Sequence, residues 1–206
     1  MNNTVGSRDD LPVVLRARKN LVLTLTSEET DILVGSVLGD GYVTKLGRVQ
    51  IEQSAHQKEY LEWKYRKLEK IVSTSVCYAE RTRPSGDVTT SYRFWTRQFF
   101  RPWREYFYSS GLKELPGTIV KWLSPLALAV WHMDDGCLKT KHSIIFATER
   151  FGVTSLQILQ RGLENRYGLT TTLRSNRRLY LGRDATECFS KIVSPYIIPS
   201  MRYKIP

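Results

Sequence analysis

The sequence predicts an α+β fold made of two diverged copies of one unit, each reading helix, hairpin, helix, hairpin, helix. Three observations lead there. Residues 33–41 (LVGSVLGDG) and 128–136 (LAVWHMDDG) are apolar helical runs that both stop at an Asp-Gly pair. Each is followed by two strand-like stretches that end in register, because Gln53 lies as far beyond Asp40 as Thr148 lies beyond Asp135. An amphipathic helix then follows in both copies. Four strands per copy suggest an antiparallel sheet with one face on helices and the other free.

Residues 1–25 read as an N-terminal arm, an extended basic leader carrying Arg8, Arg16, Arg18 and Lys19 beside Asp9 and Asp10. The first copy is expected over 26–110, a linker over 111–123 and the second copy over 124–206. Thr26 and Glu29 form a capping box that opens the first helix. Gly35 and Gly39 lie inside it, each costing roughly 1 kcal/mol against alanine. That cost is understandable if another backbone packs on the same face. Residues 58–71 read as a helix with Leu61, Tyr65, Leu68 and Val72 along one side. Residues 76–83 and 91–96 make a hairpin around Pro84-Ser85-Gly86-Asp87, and an aromatic-rich helix covers 99–108. The second copy opens with Ser124-Pro125, an N-cap followed by a first-turn proline. A hairpin, a helix over 153–167, a second hairpin over 171–183 and a short helix over 185–193 complete it.

The chain has 206 residues and 41% hydrophobic content, enough for a core, and 31 Lys and Arg against 20 acids give a net charge of +11. Such a balance favours a polyanionic partner, most often nucleic acid, although a basic protein indifferent to nucleic acid remains open on charge alone. Cys77, Cys137 and Cys188 form no Cys-x-x-Cys pair, so neither a zinc cluster nor a disulfide framework is supported, and buried or neutral thiols in a reducing compartment are favoured. No apolar run reaches membrane-spanning length, and no signal-peptide core is present. His56, His132 and His142 lack ligand spacing. His132 reads as a packed core histidine, and the five tryptophans (Trp63, Trp95, Trp103, Trp122 and Trp131) as core anchors.

Asp40 and Asp135 carry the chemistry. An Asp-Gly pair alone merely ends a helix, with aspartate tolerating the turn. Two pairs at matched offsets weaken that reading. Each carboxylate also faces the negative end of a helix dipole, so placing two together is unfavourable unless a cation neutralises them. Mg²⁺ suits such hard oxygen ligands, and paired carboxylates on a divalent ion serve phosphodiester chemistry. Asp134 reads as a helix-surface or supporting group. Arg174, Arg177, Arg178 and Arg183 crowd one stretch without an acid among them, and Arg81, Arg83, Arg93 and Arg97 occupy the corresponding hairpin of the first copy. With polar residues between them, such hairpins suit groove readout, since Arg pairs with guanine and amides with adenine.

The two Asp-Gly segments, the block 131–136 and the tail 199–204 (PSMRYK) resemble the LAGLIDADG homing endonucleases in their single-chain, two-motif form, in the branch represented by I-SceI. The likeness runs from about Ile32 to Lys204. It implies two pseudo-symmetric αββαββα halves, a central two-helix interface, and an antiparallel β-saddle lying along the DNA major groove. Asp40 and Asp135 would bind divalent metal and activate water, with Gly39 and Asp134 also beside the metal. Lys113 and Lys204 would steady the transition state. Gln53 and Thr148 stand where strand ends order the attacking water, Thr148 being the weaker match because a hydroxyl reaches less far than an amide. The groove-facing set would be Lys45, Arg48, Gln50, Arg81, Arg83, Arg93, Arg97, Lys139, Lys141, Arg174, Asn176, Arg177, Arg178 and Arg183. Leu38 and Val130 depart from the signature, the latter where a small residue would let the helices approach.

The expected activity is a site-specific staggered cut in a long double-stranded DNA target by a monomer, with Mg²⁺ as cofactor and Mn²⁺ able to substitute. The alternative is an intron maturase, an RNA-binding splicing cofactor on the same fold. A gene in a self-splicing intron is expected, rather than an intein host, with the protein inside a bacterial cytoplasm, mitochondrion or chloroplast and no membrane partner.

Overall fold

The computed structural model describes residues 10–17, 21–109 and 112–206. The chain opens with β1 (Val14–Arg16) and β2 (Val22–Thr24), an antiparallel pair. Residues 10–17 and 21–25 are therefore not an extended leader. Leu11, Leu15, Leu23 and Leu25 are buried in the core, and Trp103 Nε1 donates to the Pro12 carbonyl at 2.7 Å. Arg8, Asp9, Arg18 and Lys19 lie outside the described residues.

The first unit is α1 (Ser27–Leu38), β3 (Tyr42–Val43), β4 (Val49–Ser54), α2 (Lys58–Lys67), β5 (Cys77–Thr82), β6 (Val88–Trp95) and α3 (Arg101–Phe107). A short ladder of β7 (Tyr108–Ser109) and β8 (Leu112–Lys113) leads into the connection. The second unit is α4 (Pro125–Asp135), β9 (Gly136–Thr140), β10 (Ser143–Phe146), α5 (Val153–Tyr167), β11 (Thr171–Leu173), β12 (Leu179–Leu181) and α6 (Arg183–Val193), after which a 3-10 turn, Pro199–Lys204, carries the tail. The sheets run β3-β4-β6-β5 and β9-β10-β12-β11, the same order in each unit and antiparallel throughout. Two αββαββα units are thus present.

α1 begins with the capping box that the sequence predicts: Glu29 N donates to Thr26 Oγ1 at 3.1 Å, and Thr26 N donates to Glu29 Oε2 at 2.8 Å. α1 and α4 form the central packing. A Cβ built on Gly35 would meet the Ala127 carbonyl at 2.5 Å and Val130 Cβ at 2.6 Å; one on Gly39 would meet Asp134 Cβ at 2.4 Å. The two glycines are slots for α4, and Val130 fits because its bulk enters one of them.

Several local expectations differ. α2 stops at Lys67, followed by a 3-10 turn over Glu69–Ile71, and α6 starts at Arg183, which removes that arginine from the hairpin. Trp103 and Trp131 are fully buried, and Trp63 and Trp122 pack partly on the core. Trp95 is not a core anchor; it lies at the end of β6 under the Arg93 guanidinium, 5.0 Å from its ring centroid. The cysteines are free but not buried: Cys77 and Cys137 are exposed and Cys188 is intermediate. Among the described residues no helix is long and apolar enough to cross a membrane.

In β4, Val49, Ile51 and Gln53 are buried while Gln50, Glu52 and Ser54 point the other way. α2 packs on the buried side, which leaves the second face of this sheet clear of helices.

Candidate active site

Asp40 stands just past the Gly39 cap of α1, exposed, while Asp135 is the last residue of α4 and half-buried. Because α1 and α4 pack along their length, the two ends arrive together. Strand β4 brings Gln53 underneath. Its Nε2 donates to Asp40 Oδ2 at 3.2 Å and to Asp134 Oδ1 at 2.9 Å, while its Oε1 is buried without a protein donor. Thr148 does not do the same in the second unit. Its hydroxyl donates to the Arg177 carbonyl at 2.7 Å, away from Asp135.

Asp134 is not on the helix surface; it takes the supporting place behind Asp40. Its side chain is fully buried and pairs with Lys64 Nζ from α2 at 2.6 Å. It also lies 3.4 Å from the Asp40 backbone N–H. The carboxylate can point inward because Gly39 leaves room for its Cβ. Lys64 went unread in the sequence, where lysine in a helix ordinarily marks a solvated face. The signal was its spacing, four beyond Tyr60 and four before Leu68, both fully buried. Tyr60 adds a bond from its hydroxyl to the Val130 carbonyl at 3.2 Å, and the Lys64 ammonium sits 4.3 Å from the Tyr60 ring centroid.

The two lysines named from the resemblance make matching contacts. Lys113 Nζ donates to the Leu38 and Gly39 carbonyls at 3.3 and 3.2 Å. Lys204 Nζ donates to the carbonyls of Met133 and Asp134, the latter at 3.0 Å, and these are the equivalent positions of α4. Each ammonium therefore caps the negative end of one central helix. The tail that carries Lys204 is fixed by His132, whose Nε2 lies 2.9 Å from the Lys204 carbonyl. His132 is buried edge-on to Phe146 and Phe189, and burial lowers its pKa to about 4, so it is a neutral core group.

Burial, with Asp40 and Asp134 adding repulsion, raises Asp135 to about 7. Lys113 and Arg150 oppose the rise; Arg150 was also absent from the sequence reading. Burial lowers Lys113 to about 8 against the pull of the aspartates. Burial likewise lowers Lys204 and raises Asp134, with Lys64 opposing the latter. The Asp135 carboxylate is thus costly to ionise in the protein alone, chiefly because it is buried.

A divalent cation beside Asp135 would offset that cost and the repulsion from Asp40. Among the described residues no group of three or more His, Cys, Asp and Glu side chains makes a closed metal cage. Mg²⁺ does not need one, since it is held by one or two carboxylates and completes its shell with water and phosphate. Asp40 and Asp135 are the residues that could supply the carboxylates. The Gly39 carbonyl is already engaged by Lys113.

The predicted groove residues divide. Gln50, Arg81 and Arg93 share the helix-free face of the first sheet, as the ladder partners and side-chain bonds of β4, β5 and β6 require. Lys45 and Arg48 flank the β3–β4 turn, and Arg83 begins the β5–β6 turn. Lys139 is exposed on β9 and Lys141 in the turn after it. Arg174 stacks 4.2 Å from the Tyr180 ring centroid, Asn176 bonds the Tyr180 hydroxyl at 3.2 Å, and Arg177 sits in the β11–β12 turn with φ 58°. Arg178 pairs with Glu149, an acid that the local sequence had hidden. Arg97 departs from the set: it lies beyond β6 and lines a cavity with Leu21 and Leu23 of the N-terminal hairpin. Arg183 opens α6.

A profile described as the LAGLIDADG DNA endonuclease family matches residues 30–188. The chain is 30% identical to the cytochrome b mRNA maturase bI2 of Saccharomyces cerevisiae over 196 residues, covering 84% of this chain and 46% of that protein, so it spans about half the length of that relative. It is 28% identical to a probable intron-encoded endonuclease 1 of Wickerhamomyces canadensis, covering 88% of this chain and 85% of the other. Among solved structures, the homing endonuclease I-WcaI bound to its DNA recognition sequence superposes with a TM-score of 0.79 at 28% identity, covering 89% of this chain and 88% of that one. The paired helices that end in Asp40 and Asp135, the two sheets and these matches agree: the chain belongs to the LAGLIDADG DNA endonuclease family.

Proposed function

We propose that this chain is a site-specific homing endonuclease that acts as a monomer and hydrolyses one phosphodiester on each strand of a long duplex, leaving a staggered break. The observation that carries this reading is the gathering of Asp40, Asp135, Lys113 and Lys204 at the shared end of α1 and α4. Mg²⁺, with Mn²⁺ able to replace it, would supply Lewis-acid activation of water and of the scissile phosphate when bound. The residues themselves do the rest. Asp40 and Asp135 hold negative charge where a cation must sit. Gln53 fixes the Asp40 carboxylate and, through it, the water that this carboxylate would address. Lys113 and Lys204 offset charge that develops on the phosphate, as pre-placed cations do. The Arg-bearing sheet faces hold the duplex.

The test is cleavage of joined host-exon DNA in Mg²⁺. Asp40→Asn and Asp135→Asn should each abolish double-strand cleavage while DNA affinity stays within about tenfold, because the amide keeps the shape and loses the charge. Linearisation at the wild-type rate by either variant would sink the assignment. Binding should also weaken steeply with salt, in keeping with roughly six to ten phosphate contacts.

A second reading has its own support. Two curated relatives that are 30% identical to this chain carry the name maturase. Intron RNA is the partner in that case, and splicing of a precursor RNA assayed beside the DNA cut separates one activity from both. Expression from an intron in a bacterium, mitochondrion or chloroplast fits either reading.

A further inference from the structure

We infer that Glu52, an acid on the groove-facing sheet, is a specificity-determining residue that holds Arg81 and Gln50 in the posture in which they read bases. This rests on the endonuclease reading above. Glu52 accepts from donors on its own strand and on β5 and β6. Arg81 of β5 grips it with both terminal nitrogens, Nη1 to Oε1 at 2.7 Å and Nη2 to Oε2 at 2.9 Å. Ser91 Oγ of β6 donates to Oε1 at 2.6 Å, and Gln50 Nε2 of β4 donates to Oε2 at 2.9 Å. The Arg93 guanidinium stands 4.0 Å away, and Glu52 is in the ladder position directly opposite it.

A carboxylate has about four lone-pair sites, and here three hydrogen bonds and the close Arg81 Nη1 ion pair crowd them. Its side chain is only 16% exposed. Glu52 therefore has little capacity left for a base and acts through its neighbours. An ordinary surface ion pair contributes little because two long side chains must be held still. Here one carboxylate holds several at once, so each further donor is ordered at a smaller entropic cost. Arg81 retains three of its five N–H groups for a guanine edge, and the Gln50 amide, fixed by one N–H, retains the other and its carbonyl for an adenine edge. The acid also lowers the positive potential of a face that must attract phosphate, which weakens binding to unselected DNA. Both effects raise discrimination more than affinity.

The second unit has no such hub. The residue before Thr148, where Glu52 precedes Gln53, is Ala147. The pre-ordered readout is thus confined to the half of the target that lies under the first sheet.

The experiment selects cleaved sites from a randomised duplex library in Mg²⁺ with the full chain, comparing wild type, Glu52→Ala and Arg81→Lys. Glu52→Ala should relax base preference about tenfold at a few adjacent positions in one half-site, roughly what one good bidentate pair supplies. The other half-site should be unchanged, and affinity for a non-cognate duplex should rise. Arg81→Lys keeps the charge but loses the fork, so it should relax some of the same positions. An unaltered preference profile in a folded Glu52→Ala protein, or an even loss across both halves, would overturn the inference while leaving the endonuclease reading intact. A wild-type protein that enriches no sequence would overturn both.

Discussion

The two aspartates stand at matched sequence positions and in unequal company. Asp40 is exposed, takes a hydrogen bond from Gln53, and has its own N–H near the buried Asp134–Lys64 pair. Asp135 is half-buried, accepts no bond from a described side chain, and is raised to about 7. Yet the lysine caps beneath them are alike, each donating to the matching two carbonyls of its helix. The duplication has kept what places charge in the backbone frame and changed what orients each carboxylate. Shared geometry therefore predicts equal effects, and divergent partners predict unequal ones.

The largest effect should come from the feature with no counterpart. Lys64→Met leaves Asp134 charged and buried without its partner, which should cost about 3–5 kcal/mol of stability, as breaking buried pairs does. Adding Asp134→Ala should restore most of it. Urea denaturation of the single and double variants checks this, and a single variant as stable as wild type would mean that water reaches Asp134. The two caps come next. Lys113→Ala and Lys204→Ala should each slow single-turnover cleavage by an amount on the order of 2–4 kcal/mol and should match one another within about threefold, with a smaller loss of binding. A large inequality would break the symmetry argued from their contacts. Then Gln53→Ala should slow cleavage by roughly 10–100-fold, the usual effect of removing a group that orients a ligand, whereas Thr148→Ala should fall within about threefold. Strand-resolved nicking kinetics would show the difference as a changed order of cuts.

The smallest effect concerns pH in the metal-free protein. Asp135 has a folded pKa of about 7, above its ordinary value of 3.8. Above 3.8 the unfolded chain has released this proton while the folded chain retains it, so unfolding releases protons. Stability from this group is present in acid and is lost as pH rises through about 7. Thermal melts in chelator should decline over that window, and Asp135→Asn should flatten this part of the profile.

The fold was legible because its signal is periodic and repeated. The capping box, the two Asp-Gly ends and the α5 limits all follow from local chemistry that a sequence displays. The glycines of α1 even announced a close neighbour. What was not legible depends on partners distant in the chain. Lys64 lies 70 positions from Asp134, so a residue type that normally meets water gave no hint of burial. The burial of Asp134 is hidden for the same reason, and Arg178 looks free in the sequence because Glu149 is distant along the chain. The hairpin of residues 10–17 and 21–25 was misjudged because its strands are only three residues long, too short for alternation to declare itself.

The slots in α1 carry a consequence for which segment can pair with which. Gly35 receives Val130 and Gly39 receives Asp134, so relief on one helix is answered by bulk on the other. Two copies of α4 set face to face would bring valine against valine and two buried carboxylates together, with at most one of them in reach of a given lysine. Two copies of α1 would set glycine against glycine and would lose the Val130 and Asp134 side chains that fill the seam here. Self-pairing of α4 is thus penalised by collision and charge, whereas the mixed pairing answers each hollow with a side chain. A symmetric pair built from the second unit would need small residues at both positions, so relief and bulk are divided between the two units along their shared seam.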